Sequence, residues 1–158
     1  MRRSELAMAD LPEIEAVIRR AEVLHLALTG PDGPYALTVN FGYRDGKFYI
    51  HSAPEGRKID MLKADPRVAF CLHVDYEPVR AESGCKWSAR FQSVAGQGRA
   101  RFLEDMAEKE QGLRAVMASF GAGDQPLEPA VLKRTAVLEI TPQNLEGKRK
   151  GHPAPEAK

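Results

Sequence analysis

Cysteine is almost missing. Cys71 and Cys85 are the only two in 158 residues, they lack metal-ligand spacing, and two thiols build no disulfide framework. The expectation is a buried thiol at 71 and a loop thiol at 85 in a reducing compartment. Tryptophan occurs once, at Trp87. No apolar run approaches the roughly 20 residues that span a bilayer. The opening MRRSELAMADLPEIE carries acids where a secretory apolar segment would lie, so the expected location is cytoplasmic, with no membrane contact. Charge of one sign is missing too: 23 Lys+Arg against 22 Asp+Glu give a net +1, so bulk charge calls for no nucleic acid. No G-x-G-x-x-G follows a strand, which excludes a resident dinucleotide of that type. There is no internal repeat.

What is present is an ordinary globular composition, 43% apolar and 28% charged. It predicts one domain over 1–145 and a polar, poorly ordered tail over 146–158 that begins to lose structure at Pro142. Asp10-Leu11-Pro12 opens an amphipathic helix with Leu11, Ile14, Val17, Ile18 and Ala21 on one face. Alternating segments predict strands at Val23–Thr29, Tyr35–Phe41, Lys47–His51, Arg67–Asp75, Trp87–Phe102 and Thr135–Thr141, the first three as an antiparallel meander. Tyr76 to Cys85 reads as a loop, and Gly96 and Gly98 mark a bulge or bend. A helix over Glu104–Phe120 carries Met106, Leu113, Val116, Met117 and Phe120 on one face. A loop from Gly121 to Pro129 leads to the last strand. The predicted architecture is mainly β with flanking helices, a six-stranded antiparallel barrel.

The stretch Lys47–Val68 concentrates the chemistry. A short strand ends at His51, the spacing of Ser52 and Glu55 reads as a capping box, Ile59, Met61 and Leu62 form a helical stripe, and Asp65-Pro66 stops it. The turn thus delivers a helix N-terminus, where free N–H groups and the dipole favour an anion, and Gly56, Arg57 and Lys58 add a pliant backbone and two cations. A phosphate suits that place.

Three groups of residues carry a resemblance: Asn40-Phe41-Gly42-Tyr43; His51-Ser52-Ala53 with Gly56-Arg57-Lys58; and Ser93-Val94 with Gly96-Gln97-Gly98. Over roughly residues 1–150 the chain resembles the FMN-binding split-barrel superfamily of pyridoxamine 5′-phosphate oxidase, and within it the 5-nitroimidazole-resistance (Nim-type) flavoproteins. The resemblance implies a dimeric split barrel, with two FMN molecules held at the interface of a homodimer. It places Arg57 and Lys58 on the FMN phosphate, His51 and Ser52 beside the phosphate or ribityl chain, and Ile50 at the flavin's edge. Leu37, Thr38, Val39 and Asn40 would offer backbone groups to the ring from a neighbouring strand, and Gln92 and Ser93 would come from the second subunit. The oxidase's C-terminal substrate-phosphate residues have no counterpart in Lys148-Arg149-Lys150-Gly151-His152, which disfavours vitamin B6 oxidation.

The implied activity is reduction of small electrophilic organics, nitroaromatics such as nitroimidazoles among them, with NAD(P)H as a transient donor. The alternative is a non-catalytic flavin- or haem-binding protein. His51 is the catalytic candidate, because it is the titratable group expected nearest the working end. His25 and His73 read as sheet histidines, Trp87 as a core or interface residue or a stacking partner of the flavin, and Cys85 as a loop thiol without a base.

Overall fold

The computed structural model describes residues 4–152. Its elements, in chain order, are α1 (Leu11–Arg20), β1 (Leu24–Gly30), β2 (Gly33–Val39), β3 (Gly42–Arg44), β4 (Lys47–Ser52), α2 (Arg57–Ala64), β5 (Arg67–Val79), β6 (Ser88–Phe102), α3 (Met106–Ser119), α4 (Pro129–Arg134) and β7 (Ala136–Lys150). Short 3-10 turns lie at Ser4–Leu6 and Gly84–Lys86. No helix among the described residues is long and apolar enough to cross a membrane.

Seven strands, not six, form one antiparallel sheet in the order β2-β1-β5-β6-β7-β4-β3. The expected meander does not form. β2 pairs with β1 alone, while β4 pairs with β3 and β7. The chain breaks its ladder at Asn40-Phe41 and passes from one sheet edge to the other. The edges β2 and β3 are therefore consecutive in sequence, so the sheet curls until they stand two residues apart at that corner, although they are not hydrogen-bonded to each other. The anticipated bend in the sixth strand is real: register shifts between Gln97 and Gly98 where β6 meets β7.

The concave side holds the core. Leu24, Leu26 and Leu28 of β1, Phe48 and Ile50 of β4, Phe70 and Leu72 of β5, Val94 of β6 and Leu138 and Ile140 of β7 are all buried there. Phe48 is its hub, with ring centroids 5.7 Å from Phe41, 5.0 Å from Tyr43 and 4.9 Å from Phe70. Helix α1 covers this core with Ile14, Val17 and Ile18. Its start is as the sequence predicts: Asp10 accepts from the Glu13 amide at 2.9 Å, and Glu13 accepts in return from the Ala9 amide at 3.1 Å.

Several expectations give way to tertiary context. Residues 142–150 are not a loose tail, because β7 continues to Lys150 along β6 and half-buried Arg149 pairs with half-buried Glu13 of α1. The remaining tail residues, 153–158, lie outside the described residues. The expected loop after Asp75 is shorter, since β5 runs to Val79 past an irregularity at Asp75, whose φ is 55°. The 121–135 segment includes α4, which the Gly/Pro content concealed. Helix α3 buries Gly112, Leu113, Ala115 and Val116, whereas Met106 and Phe120 at its two ends are exposed. At Ala115 and Val116 this inner face comes so close to Gly42 that a Cβ there would meet helix backbone.

Candidate functional site

The turn between β4 and α2 differs from the sequence expectation in one respect. Ser52 is the last ladder residue of β4, paired with Ala136, and does not cap α2. The cap position is taken by Gly56, with φ 112°, and no side chain bonds the helix start. Gly56 O accepts from the amides of Ile59 (2.8 Å) and Asp60 (3.1 Å). The amides of Arg57 and Lys58 find no acceptor among the described residues. A helix start with free amides is a place for an anion.

The two cations there differ. Arg57 is exposed and lays its guanidinium over the Tyr35 ring, 4.4 Å from the centroid, which ties the start of α2 to β2. Lys58 is half-buried and forms no ion pair with a described residue, and burial pushes its ammonium below the usual lysine range. A desolvated cation without a carboxylate, beside free amides, is stabilised by an incoming dianion. This donor set fits a phosphate, which accepts from amides and ammonium together.

The remaining predicted residues fall in three places. His51 is exposed near the end of β4, its side chain makes no hydrogen bond to a described residue, and its backbone pairs with Val137. Ile50 has a fully buried side chain in the core, so it has only backbone to offer a ligand. On β2, Thr38 is exposed, Leu37 is half-buried and Val39 is buried, and Asn40 just past its end is exposed. Gln92 turns toward α1, donating to Asp75 at 2.8 Å, and Asp75 also accepts from Arg20 at 2.8 Å. Ser93 pairs with His73. With strands about 4.8 Å apart, Ser93 lies roughly 15 Å across the sheet from Thr38 within one chain.

Sequence reasoning missed the platform between them. Thr38, His25, Cys71 and Ala95 form one register row on the outer face, and Ala36, Ala27, Ala69 and Gln97 form the next. Four alanines make this face flat. His25 Nδ1 and Thr38 Oγ1 stand 3.2 Å apart, and the His25 and His73 rings are near parallel, 6.2 Å between centroids. Cys71, expected to be buried, is exposed here, because it shares the parity of His73 and not that of Phe70 and Leu72. Period-2 parity was the available signal, but only the β1–β2 and β1–β5 registers align the rows. Trp87 is 53% exposed and donates to Ala81 O at 2.7 Å, so it belongs to its own loop and not to the core.

A family model described as pyridoxamine 5′-phosphate oxidase matches residues 10–149 of this chain. The chain belongs to that family. Among solved structures, the oxidase-family fold superposes on a protein provisionally named a 5-nitroimidazole antibiotic resistance protein of Bacteroides thetaiotaomicron. Its TM-score is 0.81 and its identity 28%, over 90% of this chain and 86% of that one. The flavocytochrome Anf3 of Azotobacter vinelandii aligns at TM-score 0.81 and 21% identity, over 100% of this chain and 75% of that one. An FAD and heme binding protein of Mycobacterium smegmatis aligns at 0.82 and 18%, over 96% and 76%. At those identities the last two speak for the fold alone. No curated protein matches the chain.

Proposed function

We propose that this member of the oxidase family is an FMN-binding flavoprotein that reduces small electrophilic organic molecules, nitroaromatics among them. The observation carrying the reading is Lys58, desolvated and without an ion pair beside the free amides that start α2. In this reading Arg57, Lys58 and those amides hold the FMN phosphate, Ser52 and His51 flank the ribityl side, and the β2 edge from Leu37 to Asn40 borders the ring. The three strand spacings of about 4.8 Å between Thr38 and Ser93 make it natural for Gln92 and Ser93 to serve a site on a second copy, as a homodimer with FMN at the interface provides. When bound, FMN supplies hydride or electron transfer. The chain's own part is to fix the phosphate, orient the ring and shield it from water. NAD(P)H or another reductant visits transiently.

Purified protein titrated with FMN, followed by absorption and by light scattering on a sizing column, tests this. Flavin bands co-eluting with a species of twice 17.5 kDa are expected. A monomer without flavin overturns the reading. A second reading, haem or flavin carriage without turnover, is favoured by the His25–His73 pair on the flat outer face. Added hemin giving a stoichiometric Soret band abolished by replacing either histidine would select it.

His51 offers a test of catalysis. It is exposed and its side chain makes no hydrogen bond to a described residue, so His51→Ala is expected to leave the fold and most bound FMN intact. Nitroaromatic turnover per FMN should fall by about 10²-fold or more if it positions or protonates substrate. A wild-type rate per flavin removes His51 from the chemistry.

Lys58 gives the pH dependence. Its folded pKa is depressed, so the unliganded protein gains stability as pH rises through that pKa toward the ordinary lysine range. A bound phosphate restores the charged form. FMN affinity is therefore expected to fall as pH rises through the depressed Lys58 pKa toward the ordinary lysine value of about 10.4. Lys58→Arg, charged throughout, should flatten the curve. Isothermal titration across this range checks it; matching slopes in both proteins would remove Lys58 from the phosphate.

A further inference from the structure

Asp75 stands where regular alternation would not put it. Along β5 the side chains of Phe70 and Leu72 enter the core while Cys71 and His73 face outward, so an unbroken strand would send Asp75 outward with them. It goes the other way. Between the pairs Val74–Gln92 and Glu77–Arg90, two residues of β5, Asp75 and Tyr76, oppose the single Phe91 of β6. At this bulge Asp75 takes a φ of 55°, in the left-handed region that few non-glycine residues occupy. The kink brings its carboxylate to the side covered by α1. There Asp75 Oδ2 accepts from Arg20 of α1 at 2.8 Å and from Gln92 Nε2 at 2.8 Å. Gln92 is itself held in the ladder on both sides, by Val74 of β5 and Arg149 of β7.

We propose, resting on the shared-site reading above, that Asp75 is a positioning residue: it fixes the polarity of the Gln92 amide so that Oε1, an acceptor, is offered to the N3–H of a flavin ring held by the second copy. A carboxylate accepts and an arginine donates. The amide nitrogen of Gln92 must therefore face Asp75, its oxygen must point away, and Arg20, which has only donors, steadies the carboxylate without being able to reverse the amide. Gln92 Oε1 accepts from no described residue, so it is free for a ligand. An oxidised isoalloxazine ring carries one N–H, at N3 between two carbonyls, and its other edge heteroatoms accept. An acceptor fixed in direction selects that N–H alone. A glutamine free to turn over would meet a carbonyl or the N–H equally, so the residue type by itself gives no direction and the bulge supplies it. An exposed ion pair adds too little stability to account for a left-handed aspartate, and such backbone gathers where a side chain must be aimed.

The test is a fluorescence titration of the full chain with FMN and with 3-methyl-FMN, which keeps the phosphate, ribityl chain and ring but lacks the N3 proton. Wild type is expected to bind FMN about tenfold tighter, the size of one hydrogen bond whose partner is otherwise left unmet. Gln92→Met, similar in length but without an amide, should lose that preference by weakening FMN alone, which separates the hydrogen bond from any crowding by the methyl group. Asp75→Gly suits the φ of 55° and removes only the carboxylate, so it should abolish most of the preference while keeping the wild-type circular dichroism. A merely structural Asp75 would change stability and leave the ratio alone. Arg57→Ala with Lys58→Ala should weaken both flavins equally at an unchanged ratio, which separates ring recognition from the phosphate. Equal affinity of the wild type for the two flavins overturns the proposal, as does a wild-type ratio in folded Asp75→Gly. Failure of the wild type to bind either flavin overturns the flavin reading itself and the role of Asp75 with it.

Discussion

Replacing Arg57 and Lys58 together by alanine is expected to lower FMN affinity by about two to four decades, since two charge-assisted phosphate contacts are worth roughly 3–6 kcal/mol together. The protein should still fold. Arg57 is exposed and its recorded contact is the Tyr35 ring, worth about 0.5–1 kcal/mol at such a site. Removing the half-buried, unpaired Lys58 ammonium relieves a desolvation cost. Loss of flavin with an unchanged melting temperature is therefore the signature, read by flavin content after gel filtration and by thermal unfolding on the same sample. Undiminished FMN affinity would remove the phosphate from this turn, and with it the placing of the ring against β2.

The largest loss of stability from a single methyl is expected at Gly42. A Cβ there would collide with the backbone of Ala115 and Val116 in α3, and backbone in a packed helix cannot swing aside as a side-chain tip can. Overpacking of this kind costs about 1–3 kcal/mol or more, and at this size each kcal/mol lowers Tm by about 2–4 °C. Gly42→Ala should fall at the upper end, near 10 °C. Gly46→Ala is the control for glycine removal as such: a Cβ there meets open space, so its cost is the φ of +76° alone. Equal Tm losses for the two would mean that α3 does not rest on Gly42.

Gly42 also shows why the fold was only partly readable. Val39 and Phe41 alternate correctly toward the core, so the pattern invites one long strand ending at Phe41. The break comes from the close approach of α3 to a backbone with no side chain, a contact that local periodicity does not encode. The same limit hid the partner of β4. Lys47 to Ser52 reads as a strand from its own residues, yet β7 as its neighbour follows from the curl of the whole sheet. At the site, Arg57 and Lys58 were legible as cations at a helix start. The absence of a cap was not, because Ser52 and Glu55 have the right spacing but Ser52 is held in the β4–β7 ladder. Arg149 reads locally as part of a polar tail, since nothing near it in sequence announces its ion pair with Glu13 of α1.

The sequence by itself determined the local elements and the chemical character of the phosphate turn, because alternation, helix stops and adjacent cations are properties of near neighbours. It also carried the family resemblance through short motifs. The tertiary structure alone decided the order of the strands, the flat outer face that lines up Thr38, His25, Cys71 and Ala95, and the burial that leaves Lys58 desolvated. Those depend on register and on which surfaces lose water, and both are set by contacts between residues tens of positions apart.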